Sequence, residues 1–80
     1  MTNELGDINY RKLSYFYENK IMVHFKDNDD IFYNGIVLDL NRKNHTLILN
    51  ERVKGNISII LEDIKSNSIC EFTELKEDGI

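Results

Sequence analysis

Two hydrophobic rhythms divide the chain. Between Asp7 and about Asn19 the apolar residues Ile8, Leu13, Phe16 and Tyr17 share one stripe at helical spacing, with Arg11, Lys12, Ser14 and Glu18 largely on the other side. Asp7 is placed to cap this helix by accepting from its first-turn amides, and residues 1–6 before it read as loose. From Ile21 the period becomes two. Ile21, Val23 and Phe25 alternate with Met22, His24 and Lys26, the pattern of a half-buried strand.

The polar run Asp27-Asn28-Asp29-Asp30 then predicts a turn, and Ile31 to Leu40 a second, longer strand. Along it Phe32, Ile36, Leu38 and Leu40 would share one face, and Tyr33, Gly35, Val37 and Asp39 the other. Gly35 in mid-strand predicts a bend or a close backbone approach. Asn41-Arg42-Lys43-Asn44-His45 has hairpin chemistry, since asparagine tolerates left-handed backbone, and a third strand follows from Thr46 to Asn50. A fourth is expected from Asn56 to Leu61, then a Leu-Glu-Asp-Ile turn, then a fifth strand over about Ser66 to Phe72. In the fourth, Ile57, Ile59 and Leu61 fill one face while Ile60 projects from the opposite one and calls for a cover.

A helix followed by five short, bent strands is the layout of a mostly β domain, a small antiparallel SH3-like or Sm-like barrel. The expected organisation is a helical segment over 1–20 packed on a barrel over 21–73, with a flexible acidic tail over 74–80. Eighty residues hold one core and no second domain.

Between Ile21 and Phe72 the order of features resembles bacterial Sm-like proteins of the Hfq type: a preceding helix, an acidic turn after strand one, glycine in strand two and a later Lys-Gly. That resemblance implies single-stranded RNA binding, with Asn41, His45, Lys54 and Gly55 at the matching positions and Arg42 beside them as a further cation for phosphate. The sequence departs from the family in carrying Asn41 where an acid is usual and His45 where asparagine is usual. The stretches Gly35-Ile36-Val37 and Ile57 to Ile64 also look like the small YolD-like proteins of Gram-positive bacteria and phages, which implies an accessory or regulatory role rather than an enzyme.

Composition narrows the choice of function. The net charge is −4, so nucleic-acid binding by bulk charge is disfavoured and needs a local basic patch. One cysteine, Cys70, closes no internal disulfide, and no Cys/His cluster has structural-zinc spacing. Neither a basic start followed by an apolar run nor a membrane-length apolar stretch is present, which predicts a cytoplasmic protein without membrane contact. Proline and tryptophan are absent while Asn, Ile, Lys and Tyr abound, a residue choice typical of AT-rich genomes.

Candidate chemistry is sparse. Asp27, Asp29 and Asp30 resemble the start of a calcium loop, but Phe32 and Leu38 occupy the positions that need glycine and glutamate, so a solvated turn and no metal are expected. Cys70 with His24 or His45 would be a nucleophile and base, yet nothing in the sequence activates the thiol, so Cys70 reads as a small, partly buried hydrophobe and His24 as a surface residue. No catalytic residue and no cofactor are expected. Arg42, Lys43, His45, Arg52 and Lys54 lie in two loops that a barrel could bring together into one basic cluster, although two separately solvated loops are the favoured reading.

Tyr10, Tyr15, Phe16 and Tyr17 put more aromatic area on the helix than one face hides. The leading expectation is therefore a non-enzymatic regulatory or adaptor module that binds a protein, or its own copies, through Tyr10, Tyr15, Tyr17 and Ile60 and an open strand edge. Two alternatives stand beside it. One is the Sm-like RNA binder; the other is a small acidic phage-type inhibitor of a host nucleic-acid-binding protein, acting through Asp27, Asp29, Asp30, Glu62 and Asp63.

Overall fold

The computed structural model describes residues 4–72, so Thr73 and the expected tail over 74–80 lie outside the described residues. One helix, α1 (Glu4–Asn19), precedes five strands: β1 (Val23–Lys26), β2 (Phe32–Asn41), β3 (Thr46–Glu51), β4 (Gly55–Ile60) and β5 (Cys70–Glu71). Two 3₁₀ turns, Leu61–Asp63 and Ser66–Ser68, lie between β4 and β5. All strand pairings are antiparallel, in the spatial order β4-β3-β2-β1-β5. The sheet does not close: β4 and β5 are its two outer strands.

The helix differs from its sequence pattern in two ways. It begins at Glu4 rather than after Asp7, so Asp7 sits inside the first turn and residues 4–6 are not loose. Its buried stripe is Gly6, Asn9, Leu13 and Phe16, with Tyr10 and Tyr17 at the margin, while Ile8 is exposed. The cause is Asn9, whose polarity hides it from any hydrophobic pattern. It is fully buried and donates from Nδ2 to the carbonyls of Leu61 at 2.7 Å and Ile64 at 3.0 Å.

In β2 strict alternation fails at Leu38. Val37 pairs with Leu49 but Asp39 pairs with Ile48, so Leu38 is the extra residue of a β-bulge. One inserted residue reverses the face of everything after it, and Leu40 joins Val37 on the core side while Leu38 and Phe32 stay exposed. The expected close approach at Gly35 is present: a Cβ there would stand 2.2 Å from the Asn50 carbonyl oxygen of β3.

The core comprises Leu13 and Phe16 from α1, Val23 and Phe25 from β1, Val37, Leu47 and Leu49 from β2 and β3, Ile59, and Leu61 and Ile64 beyond β4. Burying each such side chain contributes about 1.5–3 kcal/mol relative to leaving it in water. Ile59 and Leu61 face inward and Ile60 is 51% exposed, as the β4 pattern predicted. The expected fifth strand over Ser66–Phe72 is cut to two residues, because Ser66–Ser68 coils into the second 3₁₀ turn. Ser68 Oγ accepts from the Lys26 amide at 3.0 Å, which anchors that turn where strand pairing would have continued.

Candidate functional site

The helix and the β2–β3 hairpin meet at a polar junction. Asn41 Oδ1 accepts from the Asn44 amide at 2.9 Å and closes the hairpin turn, and the left-handed residue is His45, with φ of 55°. That backbone turns the imidazole toward α1, where Nδ1 bonds to Glu62 and Nε2 lies 3.9 Å from Asp7 Oδ1. Gly6 makes the approach possible, since a Cβ there would stand 2.5 Å from Glu62 Oε2 and 2.7 Å from His45 Nδ1. Asp7, expected as a cap, thus faces a cross-chain partner instead.

The two basic loops are not brought together. Asn41, Arg42, Lys43 and His45 precede β3, while Arg52, Lys54 and Gly55 follow it, so a six-residue strand, about 17 Å long by its rise, separates them. Each group has its own surroundings: the Arg42 guanidinium lies 5.5 Å from the Tyr10 ring centroid, Arg52 lies 5.0 Å from that of Phe72, and Lys54 Nζ lies 5.1 Å from that of Tyr33. Gly55, with φ of +80°, supplies the left-handed residue that closes the β3–β4 loop.

That loop is organised by Glu51, a buried carboxylate absent from the sequence-predicted sites. Its Oε1 accepts from the Val53 and Lys54 amides, both at 2.8 Å, and its Oε2 from the Asn34 amide at 3.0 Å. Burial disfavours the ionised form, but these amide donors outweigh it and hold Glu51 below its ordinary pKa. No residue-type signal separates such a glutamate from a surface one.

The acidic residues are gathered more closely. The Asn28 amide donates to the Asp63 carbonyl at 2.9 Å and Asp27 bridges to Ile64, which sets the Asp27–Asp30 turn against the first 3₁₀ turn. Asp27 organises its own turn by accepting from the Asp29 and Ile31 amides at 2.9 and 3.0 Å and from the Tyr33 hydroxyl at 3.1 Å. Burial again opposes ionisation of Asp27, and those donors lower its pKa despite it. Asp30 pairs with Lys65 at 2.6 Å and Lys26 at 3.6 Å, and Glu62 with His45, so much of this acidity is matched within the chain.

The aromatic set also divides. Tyr10 and Tyr17 are half-buried against the core, and Tyr15 is 55% exposed with its ring edge-on to Phe16. Leu5 and Ile8 are exposed on the same helix, so its outer side carries apolar residues that the sheet does not cover. Tyr17, Glu18 and Lys20 of the helix end border an open groove of about 420 Å³ with Ile36, Val37 and Leu38. Ile60, half-exposed, stands at the end of the β4 edge. Cys70, expected partly buried, is exposed, because the shortened β5 is an outer strand and carries little over it.

No helix among the described residues is long and apolar enough to cross a membrane. Comparison with family models, curated proteins and solved structures finds no match for this chain.

Proposed function

We propose that this chain is a non-enzymatic regulatory or adaptor module that docks a protein, or another copy of itself, through the β4 edge and the outer side of α1. The observation that carries the reading is β4. Its six residues pair with β3 on one side, and as the end strand of the sheet it offers the other side for strand addition. Ile60 on that strand, with Tyr15, Ile8 and Leu5 on the helix, adds apolar area that a partner would remove from water. The helix-first order and the strand order β4-β3-β2-β1-β5 support a small SH3-like or Sm-like scaffold as the vehicle.

Light scattering over a concentration series tests the self-association arm: the average mass rises with concentration, and Ile60→Lys holds it at one chain. For a heterologous protein, retention by the chain drops with Ile60→Lys and with Tyr15→Ala. A mass fixed at one chain, together with retention unaffected by either substitution, contradicts the reading.

A further inference from the structure

The imidazole of His45 joins three elements: its own hairpin turn, the first 3₁₀ turn and α1. The main chain of His45 is fixed to the 3₁₀ turn, because its carbonyl accepts from the Leu61 amide at 2.8 Å. The ring reaches Glu62 of that turn through Nδ1 and faces Asp7 of α1 through Nε2 at 3.9 Å, the three side chains being between 24% and 36% exposed. Gly6, buried in the same turn of helix as Asp7, lets the ring and the Glu62 carboxylate come this close. Apolar contacts do not anchor the helix start, since Leu5 and Ile8 are both exposed.

A neutral imidazole carries one N–H and donates to one carboxylate while its lone pair faces the other; the imidazolium donates from both nitrogens. With the ring neutral, this junction holds two carboxylates and no cation. The other charged groups of the surrounding elements are Glu4 and Arg11 on α1, Arg42 and Lys43 in the hairpin turn, and Asp63 beside Glu62. Among the described residues no Lys or Arg forms an ion pair with Asp7 or Glu62, and the Arg42 guanidinium lies over the Tyr10 ring instead.

We infer that the start of α1 is latched to the hairpin turn and the first 3₁₀ turn by a proton on His45. The imidazolium is shared between Asp7 and Glu62, and Asp7 is the member that the helix carries. Docking of the helix start therefore takes up a proton, and linkage fixes the sign. Docking is tightest below the ordinary histidine range, about pH 6.5, and loosens as the pH rises through it. Leu13 and Phe16 hold the second half of the helix in the core on both sides of that range, so the response is confined to the first turns. Glu51 and Asp27 act with the opposite sign and below the ordinary carboxylate range, which separates the two effects.

Amide exchange of the full chain on both sides of the histidine range, between about pH 5.5 and 7.5, tests the latch. Protection of the amides of residues 8–11, corrected for the base dependence of exchange itself, should fall about 3–10-fold over that rise while β2 and β3 keep theirs. His45→Asn, which tolerates the same left-handed backbone, and Asp7→Asn each flatten the profile, and His24→Gln leaves it in place. In the parent chain, where no substitution can disturb folding, the Gly6 and Asp7 amide resonances should titrate together with the His45 ring and apart from that of His24. Protection that stays level or rises with pH, a profile that survives His45→Asn, or Gly6 and Asp7 amides that follow His24 overturns the inference.

Discussion

The seam between α1 and the 3₁₀ turns and the interior between β2, β3 and β4 hold the same molecule together by different means. At the seam the contacts are directional: Asn9 to the Leu61 and Ile64 carbonyls, and Lys12 Nζ to the Ser66 carbonyl at 3.0 Å. Between the strands they are aliphatic, with Val37, Leu47, Leu49 and Ile59 nearly or wholly removed from water. Apolar burial supplies more free energy per residue, but many arrangements satisfy it about equally well. Hydrogen bonds contribute about 1 kcal/mol net and are expensive to leave unmade, so they select one placement of the helix among those the apolar surface would accept.

The comparison is broken most sharply from the aliphatic side. Leu49 is completely buried, and Leu49→Ala should lower unfolding stability by about 2–5 kcal/mol through lost burial and the cavity left behind. Urea titration would show the midpoint fall; an unchanged midpoint would mean that the strands do not carry the core.

Asn9→Ala should cost about 2 kcal/mol, less than Leu49→Ala, because the Ile64 carbonyl loses its Asn9 donor in a buried position and the Leu61 carbonyl keeps only the Ile64 amide at 3.2 Å. Its distinguishing sign is local. Amide exchange in α1 and residues 61–64 should accelerate more than in β2 and β3, and uniform acceleration would refute a helix seam with its own stability.

The smallest effect concerns Glu51 and sharpens the contrast by adding pH. Its folded pKa is lowered, so its contribution is fully present above the ordinary carboxylate range and is lost as pH falls through the folded value; Asp27 acts with the same sign. Glu51→Gln should therefore destabilise the protein by about 1–2 kcal/mol near neutral pH. The gap to the parent chain should narrow as the solution is acidified. A gap that stays constant down the acid limb would show that Glu51 is not held ionised by the Asn34, Val53 and Lys54 amides.

Much of the scaffold was legible because periodicity reports burial directly. The change of period at Ile21, the β2–β3 hairpin, the close approach at Gly35 and the inward Ile59 and Leu61 flanking an outward Ile60 all follow from residue type and spacing. The misplaced parts share a different cause. Asn9 and Glu51 are polar residues whose interior positions depend on partners distant in the chain. Leu40 reaches the core side only through the bulge at Leu38, which alternation cannot register. Whether the two basic loops join was left open by residue type, because a one-dimensional reading does not measure the length of β3 that separates them.

The order of elements, their type and the identity of most core aliphatics were settled by the local pattern of apolar and polar residues, since backbone geometry converts that pattern into faces. Which polar groups meet was decided only in three dimensions: His45 beside Asp7 and Glu62, and the acidic turn against residues 61–63. The physical reason is that a hydrogen bond or an ion pair depends on distances between side chains far apart in sequence, and those distances exist only after the sheet has bent and the helix has docked.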